Sequence, residues 1–470
     1  MLLDNKINKI DQDYNKEDIK LLLNGLFQSE GHIGGYFESK QSVTFNPLIY
    51  ISHDINKDII KLFKIMNNEF NNQLSYNIYK TNTNKWHIKI YTNNWYVIIN
   101  KWIPYFNNTY GDKYISLQLL CKIYYLFNSK YGKINKDTLL SFKHIDNAIK
   151  RIYLIYNLIN NNNKFISKDN KIKLFLKYNN NIYINNYALP TKMGRAWYPL
   201  AGHYDKINFD YYNNYINKLI SLYYNKCINN FKINFLFIHG IFLSNGYFNI
   251  NIYNKNNLPW YILNFNIKQK LTKYNEDLFN IIIKYLKDNN INSYIKKEKY
   301  NDSTDRSKPS IIILYINNQK DIKNYAKLLL KYPKYYYFKS NQIYFILQAC
   351  KLFGKIKIWR EGYIALLKLI YNYKLSNIYN LPNYNYIKAY KNILIEYYKN
   401  LNLINYKFDK DIHDLYYISI YKNKSYVVNL PITSKSKYFT FNTNKNNALI
   451  QAKLYRNKTL KQWLKDNNFI

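Results

Sequence analysis

The alternation of apolar and polar positions predicts a fixed order of helices and strands near the start of the chain. Leu22, Leu23, Leu26 and Phe27 recur at helical spacing, and glycines then end the helix. The following segments predict, in order, a hairpin from YFESK and SVTFNPLIYIS, a helix from NKDIIKLFKIMNNEF, two strands from LSYNIYK and KWHIKIYT, and helices from WYVIINKWI and ISLQLLCKIYYLF. The predicted order is αββαββα.

The same order recurs about 215 residues later, where Gly240 stands in the place of Gly25. The second set runs through INFLFIHGIFLSNGYF, NINIY, WYILNFNIKQ, NEDLFNIIIKYLKDNN, INSYIKKEKY, SIIILYI, DIKNYAKLLLKY and NQIYFILQACKLF. We therefore predict an α+β protein with two pseudo-symmetric αββαββα units. The units occupy 1–161 and 231–374, an Asn-rich connector occupies 162–230, and a C-terminal α+β extension occupies 375–470.

Charge narrows the class of partner. The chain has 69 Lys and Arg against 29 Asp and Glu, a formal net charge of +40. Such an excess repels itself unless a polyanion neutralises it, and nucleic acid is the obvious one. A membrane surface is the weaker alternative, because no uncharged run reaches the roughly 20 residues that span a bilayer. The abundant Lys, Asn, Ile and Tyr have AT-rich codons, so mutational bias accounts for part of the lysine excess. It does not account for the scarcity of acids.

The cysteines and the N-terminal sequence indicate the cellular compartment of the protein. Cys121, Cys227 and Cys350 are far apart and lack metal-ligand spacing, which argues against a disulfide framework or a zinc site. The first twenty residues contain acids and no Arg, unlike an import presequence. Together with the codon usage, this predicts synthesis inside an organelle, and we expect a mitochondrial matrix protein.

Two nine-residue segments carry a family resemblance. LNGLFQSEG, from Leu23 to Gly31, resembles the LAGLIDADG motif, and IHGIFLSNG, from Ile238 to Gly246, is a weaker second copy. The strand-then-helix continuation after each copy also resembles that of LAGLIDADG homing endonucleases and maturases. The resemblance covers about 16–130 and 233–373, and it implies the fold more strongly than the activity.

The resemblance implies roles for the motif residues. Gly25 and Gly240 would let the two motif helices approach closely. Glu30 would be the first of two acids that hold Mg²⁺ near the scissile phosphates. The second acid is replaced by Asn245, whose neutral amide is a poor Mg²⁺ ligand. The alternatives are a solvated helix-end carboxylate at Glu30 and a simple helix cap at Asn245.

A basic residue often starts the helix after the last strands in this family. Lys113 takes that place in the first unit, and Asn341 does so in the second under a loose alignment. An ordinary surface lysine is the alternative for Lys113. The resemblance therefore implies that the second half has lost its acid and its base, so a symmetric two-strand cut is not expected.

The remaining candidates are basic residues expected to contact nucleic acid. They are Lys40, Lys85, Lys89, Lys268, Lys270, Lys334, Lys339 and Arg456. Strand side chains would reach base edges in the major groove, and the aromatic stretch KYPKYYYFK would stack on unpaired bases. Segment 413–458 faintly resembles an AP2-like module, through Tyr438, Phe439 and Phe441 and then Ala448, Ala452 and Arg456. An ordinary α+β appendage is the alternative.

Three functional classes remain open at this point. We favour a non-cleaving RNA-binding protein, either an intron maturase or a mitochondrial ribosome component with ribosomal proteins as further partners. The second class is an active homing endonuclease that cuts double-stranded DNA with Mg²⁺. The third is a scaffold in a membrane complex. Charge, aromatic content and the missing acid favour the first.

Overall fold

The computed structural model describes residues 15–39, 43–55, 57–81, 86–128, 150, 154–155, 158, 209–255, 258–299, 310–331, 340–352, 360–378, 383–410, 417–430, 432–441 and 444–468. Its contacts form two compact units. The first unit comprises Met1–Gly246, Ile267–Asp288 and Ile295–Leu314, and the second comprises Tyr247–Asn266, Asn289–Tyr294 and Tyr315–Ile470. The four-part domain division from the sequence stays a prediction.

The first repeat has the predicted order of elements. They are α1 (Lys16–Glu30), β1 (Gly31–Ser39), β2 (Val43–Asp54), α2 (Lys57–Glu69), β3 (Ser75–Lys80), β4 (Trp86–Thr92), α3 (Trp95–Val97), a π-helical turn (Ile98–Trp102), α4 (Ile103–Tyr105) and α5 (Gly111–Asn128). Asn15 caps α1, because its side chain accepts a hydrogen bond from the Glu17 amide at 3.0 Å. The helix ends at Gly31, whose N–H donates to the Phe27 carbonyl.

The first sheet is antiparallel, with strand order β1-β2-β4-β3. Its register pairs Ile33 with Ile49 and Ile51 with Ile90, and all four side chains are buried. Because successive strand residues point to opposite faces, the residues between them lie on the other face. The Tyr76 hydroxyl donates to the Phe63 carbonyl of α2 at 2.9 Å, which places α2 on the apolar face.

A helix inside the predicted connector precedes the second repeat. Helix α6 (Phe209–Asn230) precedes α7 (Phe235–Asn245), β5 (Gly246–Lys255), β6 (Leu258–Lys270), α8 (Lys273–Asp288), β7 (Tyr294–Glu298), β8 (Ile311–Ile316), α9 (Gln319–Leu330) and α10 (Ser340–Leu352). Asn234 caps α7 by accepting from the Phe237 amide at 2.8 Å. The strand order β5-β6-β8-β7 repeats that of the first sheet. The α+β class with two αββαββα repeats is confirmed.

The C-terminal region adds two helices and a small sheet. Helices α11 (Arg360–Ile378) and α12 (Asn383–Lys410) precede β9 (Ile418–Tyr421), β10 (Ser425–Val428), β11 (Lys437–Thr440) and α13 (Lys445–Asp466). The strands form an antiparallel sheet in the order β11-β10-β9. Three strands and a helix agree with the α+β extension predicted for this region, and its likeness to an AP2 module stays a prediction.

The two motif helices pack with reciprocal contacts inside the first unit. A Cβ built on Gly25 would lie 2.0 Å from the Phe237 carbonyl oxygen, and one built on Gly240 would lie 2.1 Å from the Leu22 carbonyl oxygen. Leu22 and Phe237 occupy equivalent positions in the two motif copies. Equivalent residues therefore meet across the interface, as they do around a two-fold axis. Only glycine allows this approach at both positions.

The three cysteines differ in their burial. Cys121 is half-buried, and Cys227 and Cys350 are buried free thiols. Burial raises the pKa of the Cys227 thiol to about 11, so the thiol is protonated at neutral pH. Across the described ranges, no helix combines the length and the apolar character needed to cross a bilayer.

Candidate functional site

The tips of the two motif helices meet side by side. The Ser29 and Ser244 hydroxyls, again equivalent in the two copies, are hydrogen-bonded to each other. Each serine precedes the last residue of its helix, which is Glu30 in α1 and Asn245 in α7. The tip therefore presents one carboxyl group and one amide at positions that the repeat makes equivalent.

Glu30 is partly buried at this tip. Burial raises the pKa of its carboxyl group above the ordinary value. His53 and Lys113 oppose the shift, since positive charge favours the carboxylate, whereas Asp54 adds to it. The charged groups that act on Glu30 are therefore His53, His87, Lys113 and Asp54.

Lys113 lies in the first turn of α5, where the family pattern places a basic residue. Its ammonium donates a hydrogen bond to the Gly31 carbonyl. Burial lowers the pKa of Lys113 to about 8, although Asp112 and Glu30 both raise it. Lys113 is therefore held against the end of α1 beside Glu30, instead of extending into solvent as a surface lysine.

Two buried amides on α1 fix the start of α5. The Asn24 side chain donates to the Tyr105 carbonyl at 3.0 Å and accepts from the Asn108 amide at 3.1 Å. One turn later, the Gln28 side chain accepts from the Tyr110 amide at 2.8 Å and donates to its carbonyl at 3.2 Å. The loop before α5 is thereby tied to the motif helix, and this sets the position of Lys113. Sequence reasoning missed both amides, which stand at helical spacing inside the motif.

The residues fit a two-carboxylate magnesium site poorly. Asn245 provides an uncharged amide at the second acid position. The Gly31 carbonyl at the tip is engaged by the Lys113 ammonium, which repels a cation. In the part of the chain that the structure describes, no three His, Cys, Asp or Glu side chains are grouped closely enough to hold a metal ion. Of the two equivalent helix-tip positions, Glu30 provides a carboxylate and Asn245 does not.

Three further residues near the tip were not singled out from the sequence. The His87 ring nitrogen Nε2 lies 2.7 Å from the Asp54 carboxylate. His53 is hydrogen-bonded through Nε2 to the Leu243 carbonyl of α7 at 3.3 Å, which links the first sheet to the second motif helix. These residues are brought together by the pairing of β2 with β4, and no local sequence pattern predicts that pairing.

One face of the first sheet forms a polar and aromatic surface, the saddle face, made of side chains opposite the apolar core. It contains His32, Tyr50, Ser52, Asp54, Tyr79, His87, Lys89 and Tyr91. Lys89 lies over the Tyr50 ring at 3.9 Å and near the Tyr91 ring at 5.2 Å. His32 stacks on Tyr50 at 4.6 Å, and burial lowers its pKa to about 4, so the ring is neutral at pH 7.

The remaining predicted contact residues are distributed unevenly. Lys89 lies on the saddle face, while Lys268 and Lys270 lie at the end of β6. The positive charge of Lys270 acts on Asp112, whose pKa is raised mainly by burial. Lys40, Lys85, Lys334 and Lys339 lie outside the described residues, as does the side chain of Asn341 in the first turn of α10.

Arg456 is placed differently from the expectation. It lies on the inner face of α13, in register with Ala448, Ala452 and Leu460, and only 3% of its surface is exposed. Its guanidinium donates to the Asn457 side chain at 3.0 Å. A buried guanidinium cannot reach a phosphate from this position, so the contact with nucleic acid expected of Arg456 is not supported.

The helix and sheet geometry agrees with the motif resemblance. Two glycine-bearing helices pack at their backbones, and each leads directly into a four-stranded sheet with the same strand order. The fold is LAGLIDADG-like. Neither a protein-family model nor a curated protein sequence matches the chain.

Solved structures with a LAGLIDADG-like fold resemble the protein over most of their length. The I-LtrWI LAGLIDADG homing endonuclease bound to target DNA has 16% identity and a TM-score of 0.48, over 76% of this chain and 97% of that chain. Meganuclease I-SmaMI bound to uncleaveable DNA has 14% identity and a TM-score of 0.47, over 76% and 96%. I-SmaMI bound to an uncleaved DNA target with calcium ions has 14% identity and a TM-score of 0.47, over 76% and 98%.

Proposed function

We propose that the protein binds nucleic acid through its LAGLIDADG-like core and does not cut both strands of a duplex. The observation that carries the proposal is the asymmetry of the helix tips, where Ser29 and Ser244 meet and only one tip ends in an acid, Glu30. A two-strand cut needs an acid at each tip to hold the ion that activates water. An amide at Asn245 removes one of them.

Binding is supported by the saddle face and by the net charge of +40. Lysine contacts with phosphates release condensed counterions and supply affinity without any chemical step. Lys89 with its neighbouring tyrosine rings offers one cation and two aromatic surfaces to a polyanion. The core can therefore keep a binding surface after its cleavage site has become incomplete.

RNA is the ligand we favour over DNA. Tyr makes up 55 of the 470 residues, and aromatic rings beside lysines suit unpaired bases, which RNA presents in loops and bulges. We further propose that the protein works in a mitochondrion, as an intron maturase or as a component of the ribosome. The codon bias implied by the composition supports this compartment. Crosslinking in organelles, followed by sequencing of the bound nucleic acid, distinguishes intron from ribosomal RNA.

The absence of double-strand cleavage is tested with purified protein, Mg²⁺ and a library of duplex DNA targets. We expect no double-strand product. Site-specific double-strand cuts that disappear in Glu30→Gln would overturn the proposal and favour the alternative, an active Mg²⁺-dependent homing endonuclease. Asn245→Asp then asks whether restoring one acid restores cleavage, with Asn245→Ser as a matched change that adds no charge.

A further inference from the structure

The small C-terminal sheet carries an aromatic surface formed by Tyr421 and Tyr438. Tyr421 of β9 pairs with Ser425 of β10, and Tyr438 of β11 pairs with Val427. Ser425 and Val427 are two residues apart, so both tyrosines lie on the same face of the sheet. Their ring centroids are 5.5 Å apart in an edge-to-face arrangement. The two rings thus meet above the central strand.

This face points away from the helix that covers the sheet. Phe439 lies on the opposite face, and the centroid of its ring is 5.7 Å from that of Tyr455 in α13. Tyr421 and Tyr438 remain 45% and 51% exposed, while Ser425 and Val427 beneath them are buried. The tyrosine pair is therefore an exposed aromatic platform with buried residues of β10 beneath it.

The segment that contains the two tyrosines carries charge of one sign. Residues 417–465 contain nine lysines and one arginine, without a single Asp or Glu. The β9–β10 turn holds Lys422 and Asn423 at φ values of 49° and 54°, and the Lys424 amide donates to the Tyr421 carbonyl at 3.0 Å. This tight turn places Lys422 beside the platform, with its ammonium 5.3 Å from the centre of the Tyr421 ring.

Exposed rings next to cations match the chemistry of an unpaired nucleotide. A base stacks on an aromatic face regardless of its identity, and a lysine at the side neutralises the adjoining phosphate. Inside a duplex the bases stack on one another, so their faces are not available to the rings. We propose that Tyr421 and Tyr438 form a second nucleic-acid site that takes single-stranded segments and shares no residue with the saddle face.

The test uses the full chain with two probes, a short fluorescent oligouridylate and a blunt RNA duplex of the same length. For Tyr421→Ala/Tyr438→Ala we expect the Kd for oligouridylate to rise about tenfold or more, because stacking contributes that much per base. Duplex binding should stay within about twofold. Tyr421→Phe/Tyr438→Phe keeps the rings and should keep the affinity.

The matched control removes two exposed tyrosines elsewhere, as Tyr96→Ala/Tyr344→Ala, and should leave oligouridylate binding unchanged. Thermal melts of each variant separate lost contacts from lost folding. Oligouridylate that fails to bind the wild-type chain, or binds the Tyr421/Tyr438 alanine variant equally well, overturns the inference. If Lys89→Met weakens duplex binding in that same experiment, the proposed function still stands and only the second site is rejected.

Discussion

Gly25 and Gly240 determine how closely the motif helices approach. An added methyl group at Gly25 would fall 2.0 Å from the Phe237 carbonyl oxygen, which is backbone and cannot rotate away. We expect Gly25→Ala to lower the free energy of unfolding by about 2 kcal/mol or more, because the helices must separate to accept it. Urea denaturation followed by circular dichroism measures the loss.

Gly34→Ala in strand β1 is the control for that measurement. Its added methyl group would meet the His32 ring tip at 2.9 Å, and this side chain can move. The control should therefore lose much less stability. Equal losses in the two variants would show that the close helix approach does not limit stability.

Lys113 gives the protein a distinctive pH dependence. Its pKa is about 8 in the folded chain and 10.5 ordinarily, so the unfolded chain binds more protons between these values. The free energy of unfolding should then rise with pH across this window. In Lys113→Met this pH-dependent contribution to the free energy of unfolding is absent. The stability of the wild type relative to the variant should increase from pH 7.5 to 9.5 in urea titrations, and parallel pH trends would contradict the burial of Lys113.

Residue-scale chemistry could be predicted from sequence only where the motif carries it. The motif copies point directly to Gly25, Gly240, Glu30 and Asn245. They also contain Ser29 and Ser244, which alignment of the copies could have revealed. The pair formed by Asp54 and His87 could not be found, because it depends on the long-range pairing of β2 with β4.

At the scale of elements, β4 supplies the lysine that we place in the nucleic-acid surface. Lys89→Met should weaken binding by severalfold to about tenfold and reduce the salt slope by about one, since one phosphate contact is lost. Lys64→Met, an exposed lysine on α2 at the other side of the sheet, is the control. Fluorescence anisotropy over a range of salt concentrations measures both quantities. If the two variants behave alike, the saddle face is not the binding surface.

The observed elements agree with those predicted from the sequence where the hydrophobic periodicity is strong. They differ where tertiary packing determines the local conformation. Alternation in β2 and β4 and the helical period of α1 are local properties, and each predicted segment formed. The π-helical turn at Ile98–Trp102 was not predicted, because its apolar pattern also suits an α-helix. It packs Trp102 against Phe27 and Phe106, contacts that only the folded chain defines.

At the scale of the whole molecule, charge should dominate binding. With 69 basic and 29 acidic residues, we expect affinity for RNA to fall steeply as salt rises. The logarithm of Kd plotted against the logarithm of salt concentration should give a slope of several units. A flat response would contradict a phosphate-driven interface. This expectation needs composition alone, whereas the buried position of Arg456 required the packing of α13.

The side-by-side arrangement of α1 and α7 also brings the C-terminal ends of two helix macrodipoles together. Each end carries about half a negative charge, so two carboxylates there would repel each other and both dipoles unless a cation screened them. Asn245 removes one of these charges. We expect Asn245→Asp to have a lower Tm than the wild type in the presence of a chelator, and Mg²⁺ to restore part of the difference. The Tm of the wild type should be the same with chelator and with Mg²⁺. Equal melting in all conditions would contradict this. An asparagine in place of an acid at position 245 therefore weakens an ion site and also leaves a helix pair that is stable in the absence of an ion.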